Sequence, residues 1–395
     1  MARVIVHIDL NAFFVRAEEI KDPSLENKPV AIGHEGRGGI VSTCSYEARK
    51  YGVSSGMPMF KAKQLCPDLI IKPGDYRFYS ALSAQFMDFV KSYTKVVEIA
   101  SIDECFADFT EIVKGQKDVI TYFRSVQEEL YAKTKLKCSI GVAPTKFLAK
   151  MGSDFRKPMG LTIIRKKDIE KILYPLSIDK MFGIGKKTSP ELKKIGINTI
   201  GDFALKANKN DNELMNIMGK SFYLLKDWVN GLGSDIVETS FDDPKSIGTS
   251  TTLAHDTSDL YEIRKVLNTL CENVASRAIK ERQLGWTIQV TIKDNQFETK
   301  NKSITLNNPT NKATDIYENA VKLYEKNFIN IVVRLIGVTL QKLVSVENAA
   351  IQMTLFDYEE HEKENETKLL INDLNRRLKK PNLMRASEVK KNANK

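Results

Sequence analysis

Two parts of the chain show the same succession of apolar patterns. In the first part, residues 4–8, 96–99 and 138–142 are short runs rich in β-branched residues, which predict strands. Between these runs, residues 78–92 and 119–134 carry apolar residues at helical spacing. The order predicts a split βαβ sheet backed by two helices, and therefore a mixed α/β (α+β) domain.

A second α/β module is predicted at residues 246–345. It begins with a strand, and the elements that follow are a helix at 260–281, strands at 286–293 and 302–306, a helix at 314–324 and a strand at 332–340. This is again a βαββαβ order. No internal sequence repeat relates the two modules, so we expect them to be separate.

Polar segments separate and follow the modules. Residues 166–240 are rich in lysine and predict several short helices broken by glycine. Residues 241–245 carry a proline and predict a linker. Beyond residue 343 the chain becomes charged and weakly patterned, and we expect partial disorder around the compact apolar segment at 352–357.

Composition narrows the class of protein. The net charge of +10 over 395 residues favours a polyanionic partner, with nucleic acid ahead of a membrane surface. The five cysteines are scattered without a CxxC spacing, which argues against disulfides and a cysteine zinc site. No apolar run is long enough to span a bilayer, and the first residues lead into a strand rather than a signal peptide. We therefore expect a cytoplasmic protein.

Three carboxylates lie beside predicted strands. Asp9 ends the first strand, and Asp103 and Glu104 follow the apolar run at 96–99. Adjacent residues of a strand point to opposite faces, so two neighbouring acids need help, such as a cation, to lie side by side. Three carboxylates from two strand ends match a two-metal phosphoryl-transfer site, and oxygen ligands favour Mg²⁺. The alternative from the residues alone is that these are ordinary strand-end acids.

Polar side chains that could surround phosphate occur in two places. Tyr46 and Arg49 are three residues apart and share a helix face, with Thr43 just before them, and arginine binds phosphate through two parallel bonds. Lys157 precedes a proline, so we expect extended or turn geometry that projects its ammonium group from a loop. The alternative interpretation is that Arg49 and Lys157 are ordinary solvent-exposed side chains without a ligand.

Two further features also admit two interpretations. Phe13 and Phe14 follow Asp9 closely, and they are either core residues or rings that lie against the sugar of a bound nucleotide. A glycine hairpin in the lysine-rich segment could present backbone N–H groups and lysines to a DNA phosphate. The residues of that hairpin are Gly183, Gly185, Lys186 and Lys187.

Five motifs occur together and in order. They are Asp9, SYEARKYG at 45–52, SIDE at 101–104, GVAPTKFLAK at 141–150 and KPMG at 157–160. With these motifs the chain resembles the Y-family, or translesion, DNA polymerases of the bacterial polymerase IV type over about residues 1–345. Because the motifs are independent of one another and keep their spacing, the resemblance is specific.

The resemblance implies a right-hand polymerase. The implied domains are a ferredoxin-like palm at 1–10 and 77–165, small fingers at 11–76, a thumb with a helix-hairpin-helix at 166–240, a little finger at 241–345 and a tail at 346–395. The tail segment QMTLFD resembles the peptide that bacterial polymerases insert into the sliding clamp. Gln352, Leu355 and Phe356 would make that contact.

The resemblance also implies roles for individual residues. Asp9, Asp103 and Glu104 match the catalytic metal ligands, with the Leu10 carbonyl as a further ligand, for two Mg²⁺ ions. The nucleotide-binding residues would be Phe13, Phe14, Thr43, Tyr46, Arg49 and Lys157, and Phe14 matches the steric gate that excludes a ribose 2′-OH. Outside the catalytic motifs, the DNA contacts would be Gly183, Gly185, Lys186, Lys187, Thr252 and Arg334. Two departures are Asn11, where many relatives have a second Asp, and Pro190, which is tolerable only in the first turn of its helix.

The implied function is error-prone, template-directed DNA synthesis across damage, from dNTPs onto a primer 3′-OH. A proofreading exonuclease is not expected, because every domain-sized segment is already assigned. The implied partners are primer–template DNA and the sliding clamp, with the protein acting as a monomer. One alternative is a catalytically idle DNA-binding regulator of replication, which would have no need of the three acids. Another is a palm-based nucleotidyl cyclase, which would have no need of a thumb or little finger.

Overall fold

The structure is a computed structural model that describes residues 3–240 and 243–349. The chain divides into two compact units, residues 1–242 and 243–395. The peptide at 352–357 that is predicted to bind a sliding clamp lies outside the described residues. Within the described ranges, no helix combines the length and the apolar character needed to cross a bilayer.

The first unit alternates strands and helices. Its strands are β1 (Ile5–Leu10), β2 (Val30–Ile32), β3 (Thr43–Cys44), β4 (Ile70–Lys72), β5 (Val97–Ile99), β6 (Glu104–Asp108), β7 (Cys138–Ala143) and β8 (Leu161–Ile163). Its helices are α1 (Phe13–Lys21), α2 (Tyr46–Lys50), α3 (Met59–Leu65), α4 (Tyr76–Lys91), α5 (Thr110–Val113), α6 (Val119–Thr134), α7 (Lys146–Phe155), α8 (Ile169–Ile172), α9 (Thr188–Lys194), α10 (Ile200–Asn208), α11 (Asn212–Met218) and α12 (Phe222–Val229).

The main sheet of the first unit has the strand order β5-β6-β1-β7-β8. Strand β1 lies in the centre, antiparallel to β6 and β7, and all its residues are buried. Val6 and Ile8 belong to the core that includes residues of α4 and α6, whereas Ile5 packs in a second core with residues of α7. The predicted α/β fold, with a split βαβ sheet backed by helices, is therefore confirmed.

Helix α7 lies very close to β7 because Gly141 has no side chain. A Cβ atom at Gly141 would come within 1.9 Å of the Ala149 carbonyl oxygen and 2.4 Å of the Ser153 nitrogen. No larger residue fits there without moving the helix. This contact fixes the distance of α7 from the sheet, and with it the position of the side chains on the inner face of α7.

A smaller sheet in the order β3-β2-β4 carries α2 and α3 over its own apolar core. Ser45 caps α2: its hydroxyl accepts a hydrogen bond from the Ala48 nitrogen and donates one to the Lys28 carbonyl. The cap fixes the start of α2, which carries Tyr46 and Arg49. The positions of these two side chains therefore depend on a helix cap formed by a residue next to them in the sequence.

The lysine-rich segment forms the predicted series of short helices. Pro190 is the third residue of α9, so it falls in the first turn, where its missing N–H has no helical partner. Trp228 on α12 stacks against Phe147 of α7 and Phe182, with ring centroids 5.2 and 5.8 Å apart. The stack joins the turn that precedes α9 to the helix that packs on the main sheet.

The second unit contains β9 (Ser246–Thr257), α13 (Leu260–Lys280), β10 (Gln283–Asp294), β11 (Thr299–Thr310), α14 (Ala313–Phe328) and β12 (Val333–Ser345). Its antiparallel sheet has the order β11-β10-β12-β9. Ile288, Val290 and Ile292 pack in a core with residues of both helices. Because side chains alternate along a strand, Gln289 and Thr291 lie on the opposite face of the sheet.

Several element boundaries differ from the sequence prediction, and two of the differences have a clear cause. The sequence after Asp9 predicts a helix from residue 11 to residue 20, but helix α1 begins at Phe13, because Ala12 has a left-handed backbone with φ of 46°. Strand β11 spans twelve residues rather than 302–306, because backbone pairing with β10 extends it through polar positions that carry no apolar pattern. Pairing between strands is a long-range effect that a local pattern does not contain.

Candidate active site

One face of β1 carries the polar residues of the site. Side chains alternate along a strand, so Ile5, His7 and Asp9 share the face that α7 covers. His7 is buried, and its Nδ1 lies 2.8 Å from the hydroxyl of Ser153 on α7. Asp9 lies at the end of this row, close to the turn that leads into α1. The centre of the sheet thus presents one carboxylate toward the inner face of α7.

The three predicted carboxylates meet at the end of β1. Glu104 lies directly opposite Asp9 in the antiparallel register, and opposite residues share a face. Asp103 lies in the turn before β6, where its carbonyl accepts a 2.9 Å hydrogen bond from the Leu10 nitrogen. Its side chain accepts a 2.6 Å hydrogen bond from the Ser101 hydroxyl. Because Asp103 is in a turn, strand alternation does not separate it from Glu104.

Lys150 of α7 lies between two of these carboxylates. Its Nζ is 3.0 Å from Asp9 Oδ2 and 2.6 Å from Glu104 Oε2, with Asp154 Oδ2 at 3.5 Å. The Lys150 side chain is only 12% exposed. Burial alone would lower the pKa of Lys150, but the charges of Asp9, Asp154 and Glu104 outweigh it and raise the pKa. The ammonium group therefore stays charged.

Lys157 binds the other oxygen of Asp9. Its Nζ lies 2.8 Å from Asp9 Oδ1 and 2.8 Å from Asp154 Oδ1. Burial opposes the charged form, yet the two carboxylates raise the pKa of Lys157 above its ordinary value. The lysine that sequence predicts as a triphosphate ligand is therefore in the site and paired with a predicted metal ligand.

The carboxylates differ in their electrostatic surroundings. The contacts with His7, at 3.4 Å, and with Lys150 hold the pKa of Glu104 well below its usual range. Burial, together with the charges of Asp9 and Glu104, raises the pKa of Asp103. Within residues 3–240 and 243–349, Asp103 makes no ion pair. The lysines thus neutralise two of the carboxylates and leave the third uncompensated.

A cleft of about 330 Å³ opens beside the carboxylates. Its lining includes these residues predicted from sequence: Asp9, Leu10, Phe13, Phe14, Thr43, Tyr46, Arg49, Asp103 and Lys157. Glu104 is not among the lining residues and contacts Lys150 instead. The fold therefore brings together all the predicted nucleotide-binding residues and all but one of the predicted metal ligands.

Tyr46 and Arg49 form a pair on the wall of the cleft. The Arg49 guanidinium carbon lies 4.6 Å from the centre of the Tyr46 ring, a cation–π distance. Burial raises the pKa of the Tyr46 phenol, so its hydroxyl remains a hydrogen-bond donor at neutral pH. No acidic side chain of the described residues forms an ion pair with Arg49. The guanidinium is thus oriented and available to an anion.

The two phenylalanines after Asp9 have different surroundings. Phe13 is 2% exposed and belongs to the apolar core, so the core interpretation fits it although it also touches the cleft. Phe14 stacks on Tyr79 with ring centroids 4.6 Å apart and meets Tyr76 edge-on at 5.7 Å. These two tyrosines fix the Phe14 ring at the rim of the cleft.

Asn11 does not line the cleft. Its Nδ2 donates a 2.9 Å hydrogen bond to the Ser139 hydroxyl, and its Oδ1 accepts a 2.7 Å hydrogen bond from the Met159 nitrogen. The Ser139 hydroxyl in turn accepts a bond from the Gly160 nitrogen. Asn11 therefore ties the loop after Lys157 to the central strands and is not part of the carboxylate cluster.

The glycine hairpin lies beside α9. Gly183 has φ of +94°, and a Cβ atom there would meet the Leu225 side chain at 2.9 Å, so glycine is required. Gly185 faces open space. The backbone N–H groups of Gly185, Lys186 and Lys187 donate no hydrogen bond within the described part of the chain. This turn can therefore offer several donors and two lysines to an anion.

In the second unit, the two predicted DNA-binding residues lie on the paired strands β9 and β12. Thr252 is exposed on β9 and pairs with Leu335 of β12, next to Arg334. Arg334 donates to both oxygens of Asp256, at 3.2 and 3.1 Å, and its guanidinium carbon lies 4.4 Å from the centre of the Phe297 ring. This arginine is already engaged. The predicted clamp-binding residues, Gln352, Leu355 and Phe356, lie outside the described residues.

Sequence reasoning did not select His7, Lys150 or Asp154 as site residues. Two spacings could have indicated them: His7 and Asp9 are two apart on one strand, and Lys150 and Asp154 are four apart on one helix. Neither spacing shows that the helix faces the strand. That information comes from the close packing of α7 on Gly141.

Comparisons with known proteins agree with this geometry. Residues 8–154 match the impB/mucB/samB family, residues 244–355 match the C-terminal domain of that family, and residues 166–197 match its helix-hairpin-helix motif. The chain is 38% identical to DNA polymerase IV of Oceanobacillus iheyensis over 95% of this chain and 89% of that protein.

Solved structures give the same result. The chain superposes on a Y-family DNA polymerase chimera of Dbh and Dpo4 with a TM-score of 0.77 and 30% identity, over 87% of this chain and 99% of that one. An insertion ternary complex of Dbh DNA polymerase matches with a TM-score of 0.60 and 30% identity, over 87% of this chain and 99% of that one.

Proposed function

Because this chain belongs to the DNA polymerase IV branch of the Y-family DNA polymerases, we propose that its cleft joins deoxynucleotides to a primer 3′-OH by two-metal-ion chemistry. The protein is a translesion DNA polymerase that uses DNA and dNTPs. One observation carries the proposed chemistry: Asp9 and Asp103 line the same cleft as Tyr46 and Arg49. Groups suited to metal and groups suited to phosphate therefore face one space.

The donor set of the cleft fits divalent cations, and we take these to be two Mg²⁺ ions. Asp9, Asp103, Glu104 and the Leu10 carbonyl would supply hard oxygen ligands. The ammonium group of Lys150 supports the fit, because a cation already lies between Asp9 and Glu104. When bound, divalent ions supply an activated primer hydroxyl and neutralise charge on the phosphates.

The protein's own groups would bind and orient the triphosphate. The Arg49 guanidinium can bind two phosphate oxygens at once, and the Tyr46 hydroxyl can donate one further hydrogen bond. The Thr43 hydroxyl lines the same wall. Lys157 lies within the cleft and would exchange Asp9 for a phosphate oxygen. These groups offset the charge that develops during phosphoryl transfer, which is electrostatic rather than acid–base catalysis.

Phe14 would act as the steric gate against ribonucleotides. Its ring lies at the rim of the cleft and is held by Tyr79 and Tyr76. A ring supported on two sides is not free to move aside for an added hydroxyl group. Selection against the 2′-OH would therefore come from a fixed wall rather than from a hydrogen bond.

The domain assignment is a proposal of the same kind. The five-stranded sheet would be the palm, the β3-β2-β4 segment the fingers, and the short helices that include α9 the thumb. The glycine hairpin would bind a DNA backbone phosphate, and the second unit would be the little finger, with Thr252 and Arg334 on the template strand. We further propose that the protein works in the cytoplasm as a monomer and binds a sliding clamp through the peptide 352–357.

Primer extension tests the proposed site. We expect wild type to extend a labelled primer on an undamaged template, and in part past an abasic site, whereas Asp103→Ala with Glu104→Ala loses activity by at least about 10³-fold. The double variant should keep its affinity for primer–template DNA. Extension that survives in the double variant would mean that the metal ligands lie elsewhere. Binding without extension in both proteins would favour the idle regulator, which the relatives do not favour.

A further inference from the structure

Lys150 is a partly buried cation that the proposed reaction does not use. It is the group through which α7 contacts the carboxylates, and it binds one oxygen of Asp9 and one of Glu104 at the same time. The Gly141 contact holds α7 against the sheet, so the ammonium group is delivered to a fixed place. That place is between two of the side chains proposed to bind metal.

We propose that Lys150 is a built-in counter-ion of the metal site, which holds Asp9 and Glu104 together before metal binds and competes with the divalent cation for them. The inference rests on the proposed metal ligands. It makes Lys150 a positioning residue rather than a catalytic one.

Coulomb repulsion gives the first part of the argument. Asp9 and Glu104 lie opposite each other, Asp103 is adjacent, and Asp9 is only 8% exposed. Water screens such a cluster poorly, so like charges would push the carboxylates apart in the absence of a cation. The ammonium group of Lys150 removes that repulsion and keeps the ligands in place. The metal-free site is therefore organised in advance.

Asp154 gives the second part. It lies four residues after Lys150 on α7, and its Oδ2 is 3.5 Å from the Lys150 ammonium group. When a divalent cation neutralises Asp9 and Glu104, the ammonium group is repelled but has a carboxylate of its own helix to bind. Asp154 also contacts Lys157. Asp154, which is not a proposed metal ligand, can thus pair with both lysines of the site.

Lys146 provides a matched control. It lies one turn before Lys150 on the same helix and binds both oxygens of Glu98, at 3.0 and 2.9 Å. Its side chain is 20% exposed, close to the value for Lys150. Lys146→Met therefore removes a partly buried ion pair from α7 without touching the proposed ligands. Lys150→Met removes a partly buried ion pair that includes two of the proposed ligands, Asp9 and Glu104.

The test measures metal binding in the full-length protein without DNA or nucleotide. We expect Lys150→Met to bind Mn²⁺ about tenfold more tightly than wild type by electron paramagnetic resonance, because the competing cation is gone. In EDTA the same variant should melt at a lower temperature than wild type, and Mn²⁺ should raise its melting temperature by more. Lys146→Met should bind Mn²⁺ as wild type does. Equal or weaker Mn²⁺ binding by Lys150→Met would overturn the proposal.

A measurement on wild type covers the case in which Lys150→Met does not fold. Reductive methylation followed by mass spectrometry reports the accessibility of each amine. We expect Lys150 to react faster with saturating Ca²⁺ than in EDTA, with Lys146 unchanged, and a rate that stays equal or falls would contradict displacement. Asp103→Ala separates this inference from the proposed ligand set: loss of Mn²⁺ binding there supports the ligands whatever Lys150 does.

Discussion

Part of the first unit, made of β1, α4, β5, β6, α6 and β7, follows the same βαββαβ order as the second unit but pairs its strands differently. In the first unit the first strand, β1, is central between β6 and β7, whereas in the second unit the first strand, β9, is at the edge and pairs with β12. Asp9 on the central strand is therefore buried among carboxylates and lysines, and Thr252 on the edge strand is exposed. One order of elements thus produces an enclosed charged site and an open surface.

The same contrast separates two arginines. Arg49 lies over Tyr46 at 4.6 Å and has no carboxylate partner in the described ranges, whereas Arg334 lies over Phe297 at 4.4 Å and binds Asp256 through two hydrogen bonds. A phosphate can bind the first arginine directly. It must displace Asp256 from the second. We therefore expect large effects from substitutions in the central-strand site and small ones at the edge.

Among the single substitutions that test this contrast, the largest expected effect is at Arg49. Arg49→Ala should raise the KM for dNTP about 10- to 100-fold in steady-state primer extension, because charge-assisted bonds to the triphosphate are lost. DNA affinity should not change. Arg49→Lys should recover only part of the loss, since an ammonium group cannot bind two oxygens in parallel. An equal loss in dNTP and DNA affinity would instead place Arg49 on the DNA.

An effect of similar size is expected at Phe14. Phe14→Ala should raise incorporation of ribonucleotides relative to deoxynucleotides by about 10- to 100-fold, because the supported ring no longer blocks the 2′-OH. Phe86→Leu is the control: it alters a ring of the same buried core that does not line the cleft, and it should leave sugar selection unchanged. The ratio of kcat/KM for the two sugars is the measurement. An unchanged ratio in Phe14→Ala would move the gate to another residue.

The sequence predicts those features of the two units that depend on interactions between residues close together in the chain. The helix at 119–134 and the cap at Ser45 follow from apolar spacing and from side-chain chemistry within a few residues. The order of strands in each sheet does not, because the βαββαβ elements of the main sheet and those of the second unit have the same order along the chain and different pairing. The apolar pattern of the sequence does not distinguish a central strand from an edge strand, and therefore it does not predict which acidic residues are buried.

The site shows the same limit. The sequence predicts Asp9, Asp103, Tyr46 and Arg49 because each belongs to a recognisable motif, and the cleft brings them together. Lys150 stands in a motif as well, yet its role depends on α7 lying against β1, which is a packing fact. The pairing of Arg334 with Asp256 joins residues that are 78 apart in the chain. Such contacts between distant residues need the fold.

At the edge strand we expect a smaller effect of opposite sign, namely tighter rather than weaker binding. Asp256→Asn should tighten binding of primer–template DNA by about two- to fivefold at low salt, because Arg334 is released from a partly exposed ion pair. Arg334→Ala should weaken binding by a similar factor and reduce its salt dependence. Fluorescence anisotropy across a salt series measures both.

Arg264 and Glu325 supply the control for this prediction. They form an ion pair between α13 and α14, in the helical layer of the same unit. Glu325→Gln removes the same charge as Asp256→Asn but releases an arginine of the helices. If both variants tighten binding equally, the gain comes from net charge and not from Arg334, and the contrast between the two arginines fails.

The smallest functional effect is expected at Asn11, which lies beside the central strand but outside the cleft. Asn11→Ala should leave Mn²⁺ affinity unchanged within about twofold, because its side chain bonds to Ser139 and the Met159 nitrogen and not to the carboxylates. The same change should lower the free energy of unfolding by about 1–3 kcal/mol, since buried partners lose their bonds. Metal titration and denaturant unfolding measure the two quantities separately. If Asn11→Ala lost as much metal affinity as Asp103→Ala, proximity to the central strand, rather than the orientation of the side chain, would determine which residues contribute to metal binding.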